Sequence, residues 1–147
     1  MTYKKILVSA DLVHVEKSFV ANKAAELNEF YQAEMHLIHV VERFYSYGSP
    51  PFPADINEWQ NEFVKAAEKK LNKLGNFMGV PLGNQHVVIG NPKELIIETA
   101  EKIGAELIIL GSHSRKGISY MILGSTADGV VRAADCDVWV VRITPES

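Results

Sequence analysis

Five short apolar runs return along the chain at residues 5–10, 35–41, 86–89, 106–110 and 138–143, and this repetition restricts the fold more than any other feature. The segments ILVSA, HLIHVV, LIIL and VWVVRI are apolar at nearly every position, so as strands they would carry apolar side chains on both faces. A strand wet on one side alternates apolar with polar residues, whereas continuous apolarity suits a parallel strand covered above and below. The residues between the runs switch to helical spacing. Strand alternating with helix implies an α/β fold, a three-layer sandwich with four helices around a five-stranded parallel sheet, Rossmann-like in its winding.

Spacing and capping residues place the four helices. Val20, Ala24, Leu27 and Tyr31 form one stripe of the first. In the second, Asp55 with Glu58 reads as a capping box after Pro50, Pro51 and Pro53, and Trp59, Phe63, Ala66, Leu71, Leu74 and Met78 read as the buried face. For the third, Asn91 is the expected cap, Pro92 suits the first helical position, Glu94 closes the box and Gly104 supplies the stop. The fourth is expected to begin at Gly124-Ser125-Thr126, with Ser125 as cap and Asp128 as its partner, and to be weakened slightly by Gly129. Residues 42–54 and 112–123 are longer than loop closure needs, and the first of these, with Phe44, Tyr45 and Tyr47, reads either as a semi-rigid flap or, in preference, as a segment packed against a neighbouring helix.

A chain of 147 residues is close to the size at which one core closes, so residues 1–147 are expected to form a single domain. Fifteen Lys and Arg against eighteen Asp and Glu give a net charge of −3, which supplies no bulk attraction for nucleic acid or an anionic membrane. The one cysteine, Cys136, has no internal partner for a disulfide, and MTYKKILVSADL lacks the form of a signal peptide. A cytoplasmic location is the expectation.

Open parallel sheets bind ligands beyond the carboxyl ends of their strands, where the strand order reverses. At those ends stand Ala10 and Asp11, then Val40 and Glu42, then Gly111 followed by SHSRKG, and later Gly124-Ser125-Thr126. Gly111 and Gly117 would permit tight turns, and Gly124 would let the chain approach a ligand where helix amides point out unpaired. That arrangement suits a phosphate, with the helix dipole adding about 0.3–1 kcal/mol. Helix capping by Ser125 explains the same residues, and Asp11 has an equivalent alternative as a turn residue.

The segments KKILVSAD, HVVE, LIILGSHSRKG, ILGSTAD and CDVWVVR resemble those of the universal stress protein family, and the resemblance covers the whole chain. Nucleotide-binding members carry G-x-x-G, nine residues, then G followed by S or T. Here Gly111, residues 115–123 and Gly124-Ser125 keep that spacing, while Ser114 stands in place of the second glycine. The resemblance implies strand order 3-2-1-4-5 and ATP or AMP, with or without magnesium, across the first and fourth strands. Ala10, Asp11 and Val40 would contact the adenine end, Gly111 and Ser114 the ribose and phosphates, and Gly124, Ser125 and Thr126 the phosphate tail. His113 and Arg115 are further contacts from the loop. The family also implies a homodimer through the last strand, from Val138 to Ile143. Its other subgroup, similar to universal stress protein A, implies instead a nucleotide-independent dimeric interaction scaffold.

Other chemistries lack their signatures. There is no G-x-x-x-x-G-K-S/T, no G-x-G-x-x-G after the first strand and no G-x-S-x-G. His14, His36, His39, His86 and His113 fall on different segments without metal-ligand spacing, so no metal site is expected. Asp135 and Asp137 flank Cys136 and oppose a thiolate. With Asp11 as the one obvious carboxylate near the crevice, no catalytic residue is assigned, and at most slow ATP hydrolysis is expected.

Overall fold

A computed structural model of the chain describes residues 2–10, 12, 18–44, 53–113 and 123–143. Strands β1 (Lys5–Ser9), β2 (Glu34–Val41), β3 (Gln85–Ile89), β4 (Leu107–His113) and β5 (Asp137–Ile143) form one sheet in the order β3-β2-β1-β4-β5. All of these pairings are parallel, as double-sided apolarity requires. The connecting helices are α1 (Phe19–Tyr31), α2 (Pro53–Met78), α3 (Pro92–Ile103) and α4 (Ser125–Ala133).

Two apolar layers result, one on each face of the sheet. Ile6, Val8, Leu37, Ile109 and Val141 meet Val20, Ala24, Leu71 and Leu74 of α1 and α2. Leu7, Ile38, Ile108 and Leu110 meet Ile96, Ala100, Ala127 and Val130 of α3 and α4. Adjacent residues of one strand therefore serve opposite layers, which is the period-two geometry of a strand buried twice.

Helix ends follow local chemistry. Ser18 Oγ accepts from the Ala21 amide at 3.2 Å and starts α1. Asn91 Oδ1 accepts from the Glu94 amide at 3.1 Å, Pro92 occupies the first turn, and Gly104 ends α3 at φ 74°, a left-handed conformation that favours glycine. The third helix is thus capped and stopped by the residues the sequence marks.

Three expectations need correction. Helix α2 begins at Pro53, two residues before Asp55, because a proline's fixed φ suits a helical first turn. Its buried face is Gln60, Ala67, Leu71 and Leu74, with Val64 and Met78 partly covered, whereas Trp59 and Phe63 are about half exposed at 49% and 58%. The regular spacing 60, 64, 67, 71, 74, 78 is the stripe that meets the sheet, and the two aromatics lie beside it. Strand β4 runs three residues past Leu110, because Gly111, Ser112 and His113 pair with Val141, Arg142 and Ile143.

Gly129 also has a packing role. A Cβ there would displace the exposed, flexible Lys93 side chain of α3, which lies over this glycine. Replacing Asn91 by Ala removes the α3 cap and is expected to cost about 1 kcal/mol. A thermal melt should register this as a fall of about 3 °C in Tm.

Candidate functional site

Parallel winding leaves one end of the sheet where chain segments diverge, the carboxyl ends of β1 and β4. β1 lies between β2 and β4, and its pairing with β4 ends at Val8↔Ile109, two residues before Ala10 on one strand and Gly111 on the other. The Ala10 amide donates to the Ile38 carbonyl at 2.9 Å, which holds the chain against β2 as it leaves β1. The Ala10 carbonyl lies 3.4 Å from His39 Nδ1.

Beside these residues is a cavity of about 420 Å³ lined by Leu12, His39, Val40, Glu42, Phe44, Phe63 and Lys70 among others. Its outer wall is held by Gln60, buried in α2, which accepts from the Phe44 amide at 2.7 Å and donates to the Glu42 carbonyl at 3.2 Å. Phe44 meets Phe63 edge to face with centroids 4.9 Å apart. Phe44 therefore packs on a neighbouring helix as expected from the sequence, while Tyr45 and Tyr47 lie outside the described residues.

On the β4 side, Ser112 is buried and its Oγ accepts from the Gly124 amide at 3.2 Å. This bond ties the end of β4 to the start of α4. Gly124 is the residue before the helix, with φ −65° and ψ 161°, and no side chain caps the helix. The first backbone bond of α4 runs from the Asp128 amide to the Gly124 carbonyl at 2.9 Å, so the amides of Ser125, Thr126 and Ala127 have no partner within the helix.

Ser125 is therefore the first helical residue and not the cap. Asp128 turns away to Arg132, with Nε 3.0 Å from Oδ2, because an ion pair four residues apart lies along one helix face. Ser125 is exposed, and Thr126 is half-buried. Capping does not account for either hydroxyl.

The two motif glycines do different work. Gly111 sits in extended β4, and a Cβ there would stand 2.5 Å from Ile143 Cδ1 and 2.6 Å from Val20 Cγ2. It admits α1 and β5 to the same spot and makes no tight turn. Gly124 has a backbone open to any residue, and a Cβ there would meet no described atom within 4 Å. It stands beside three amides that have no partner within the helix.

Ala10, Val40, Gly111, Gly124, Ser125 and Thr126 are thus assembled around one end of the sheet. The backbone of His113 belongs to β4 and is not part of the loop that follows. Asp11, Ser114 and Arg115 lie outside the described residues, as does Gly117. Ser112, His39 and Gln60 were not singled out by sequence. Ser112 directly follows a motif glycine, which is the signal that could have marked it.

At the opposite end of the sheet, burial first, then Asp137 and Asp135, pushes the Cys136 thiol above its ordinary value. A half-buried, acid-flanked thiol is a poor nucleophile. Among the described residues no group of three or more His, Cys, Asp or Glu is arranged to hold a metal ion, and no helix is long and apolar enough to cross a membrane.

Residues 2–142 match the model of the universal stress protein family. Universal stress protein A homolog 2 of Coxiella burnetii is 38% identical over 141 residues, covering 96% of each chain. Universal stress protein G of Shigella flexneri is 31% identical, covering 95% of this chain and 99% of its own. Among solved structures, the universal stress protein UspA of Lactobacillus plantarum superposes with a TM-score of 0.77 at 24% identity over 97% of this chain and 99% of its own. A universal stress protein solved in complex with cAMP superposes with a TM-score of 0.57 at 18% identity, covering 96% of this chain and 98% of its own.

The contrasting glycine roles are testable by urea denaturation. Gly111→Ala should cost about 1–3 kcal/mol by overpacking. Gly124→Ser should be neutral or stabilise by a few tenths of a kcal/mol, on the order of the difference between serine and glycine caps.

Proposed function

Because the chain belongs to the universal stress protein family, we propose that it binds an adenine nucleotide, ATP or AMP, at the carboxyl ends of β1 and β4 and acts as a ligand-responsive, dimeric regulator of the stress response. The observation that carries this reading is the start of α4, where the amides of Ser125, Thr126 and Ala127 have no partner within the helix and an added Cβ at Gly124 would meet no described atom within 4 Å. Such a helix start is an anion site by its dipole and its donors. A relative of the same fold is described in complex with cAMP, itself an adenine nucleotide.

In this reading Ser125 and Thr126 hold the phosphate tail. Gly111 and Ser114 border the ribose and phosphates, and Ala10, Asp11 and Val40 border the base, with His113 and Arg115 as further contacts. Magnesium would accompany the phosphates of ATP. Turnover is slow or absent in this reading, because the family motif brings only Asp11 as a carboxylate, with Glu42 lining the cavity beside it. Phosphate bound where α4 begins, 12 residues in sequence from Ser112, would act on residues 114–122 between them and so on the surface offered to a partner.

β5 is an edge strand with a largely apolar run, and soluble proteins usually cover such an edge. Pairing of two copies through β5 covers it. A second reading, a nucleotide-independent dimeric scaffold, rests on Ser114 in place of the motif's second glycine.

Thermal unfolding with ATP and with AMP, each with and without magnesium, separates the two readings. A nucleotide at a hundred times its Kd adds about 2.7 kcal/mol, a rise of about 5–10 °C for a domain of this size. Gly124→Val should keep the fold, since its Cβ meets no described atom, and abolish the rise; Asp11→Ala should reduce it. No rise at millimolar nucleotide would leave the scaffold. Light scattering should give twice the 16.3 kDa chain mass, and a monomer at micromolar concentration would contradict the dimer.

A further inference from the structure

Three ionisable side chains are joined at the amino-terminal end of the sheet, opposite the candidate site. β2 and β3 pair with Ile38↔His86, which puts His36 and His86 on the same face, toward α3. Their rings stack with centroids 5.2 Å apart and planes 13° from parallel, and His36 Nδ1 lies 3.0 Å from His86 Nε2. His36 Nε2 in turn lies 2.9 Å from Glu34 Oε2. His36 is buried, and His86 is half-buried.

The hydrogen-bond inventory fixes what this chain of groups tolerates. The hydrogen bond from His36, with a smaller contribution from the charge of Lys5, holds the Glu34 carboxyl below its ordinary value against some opposing burial. Ionised Glu34 accepts only, so His36 Nε2 carries a proton. With His36 neutral, its Nδ1 accepts from His86 Nε2–H. With one added proton on either ring, one N–H still lies between the two nitrogens and the bond survives. With a proton added to each ring, two N–H groups face each other at 3.0 Å and the bond is lost.

We infer that Glu34, His36 and His86 form an acid-sensitive clasp that fastens edge strand β3 to β2 while the two rings share no more than one added proton, and loosens the strand when they take a second. The surroundings oppose that second proton. Burial first, then His36 and Lys102 of α3, lowers the His86 value below the ordinary one. Lys5 of β1 stands 3.9 Å from Glu34 and donates to the Ile103 carbonyl at the end of α3 at 3.1 Å, so the cluster is flanked by a cation from each of these two elements. An unfolded or detached strand takes protons at the ordinary histidine value of about 6.5. The folded His86 resists its proton, so a proton binds preferentially to the open form and stability falls as pH drops below that value. β3 is the element exposed to this loss, because it has a sheet neighbour on one side only and its five residues are all only partly buried.

Hydrogen exchange by NMR at pH 7.5 and 5.5, corrected for intrinsic rates, tests the clasp in the full chain. Protection of the Val88 amide, which like Gly90 two residues on faces β2, should fall by up to about tenfold relative to the Val140 amide of β5, and His86→Phe, which keeps a stacked ring without a proton site, should remove that difference. Equal loss in β3 and β5, or the same pH response in His86→Phe, would overturn the proposal. If His86→Phe fails to fold, imidazole nitrogen titration of the unaltered chain decides. Two coupled steps, the second below the ordinary histidine value, support the clasp, and two independent titrations near that value refute it.

Discussion

Burial of the central strands on both faces is the constraint on which the rest of the structure depends. Ile6, Leu7 and Val8 of β1 are each 0% exposed, and so are Ile108 and Ile109 of β4. Each such side chain contributes about 1.5–3 kcal/mol relative to exposure. Helices must therefore cover both sides, and each return to the sheet in parallel needs a crossover. With both faces covered and both sides paired, the central strands β1 and β4 are accessible at their ends. The location of the candidate site is thus a consequence of core packing before it is a consequence of any motif.

At that end, small local choices decide what is available to a ligand. Ser112 uses its hydroxyl to anchor the Gly124 amide, which fixes where α4 begins. Asp128 is occupied by Arg132, and the N-cap residue, Gly124, makes no side-chain cap bond to the first turn. The result is a helix start whose first amides have no partner among the described residues, in contrast to α1 and α3, whose starts are closed by Ser18 and Asn91. Two helices of the same domain are self-capped, and the one adjoining the family motif is not.

The strands, the helix order and the caps of α3 were legible in the sequence because each depends on residues within a few positions of one another. Asn91, Pro92 and Gly104 act locally, and the structure uses them as their chemistry suggests. Ser125 was ambiguous because capping and phosphate binding require the same residue types, and only the position of the first helical turn separates them. Trp59 and Phe63 were misplaced because a 26-residue amphipathic helix offers two neighbouring apolar stripes, and the register against the sheet selects one. The His36–His86 pair depends on the alignment of β2 with β3, across 50 residues of chain, which no local pattern encodes. Gly111 read as a turn glycine, yet its role is set by Val20 and Ile143, both distant in sequence. Of the ten candidate site residues, Asp11, Ser114 and Arg115 lie outside the described residues; the motif spacing alone speaks for them.

The central claim is that nucleotide phosphate sits on the start of α4, and amide chemical-shift mapping with ATP tests it most directly. The account predicts the largest changes at Ser125, Thr126 and Ala127, with smaller ones at Ala10 and Gly111 and none at β3 residues Gln85 and His86. Saturating ATP that leaves the amides of α4 unmoved, or that perturbs only other surfaces, would contradict it.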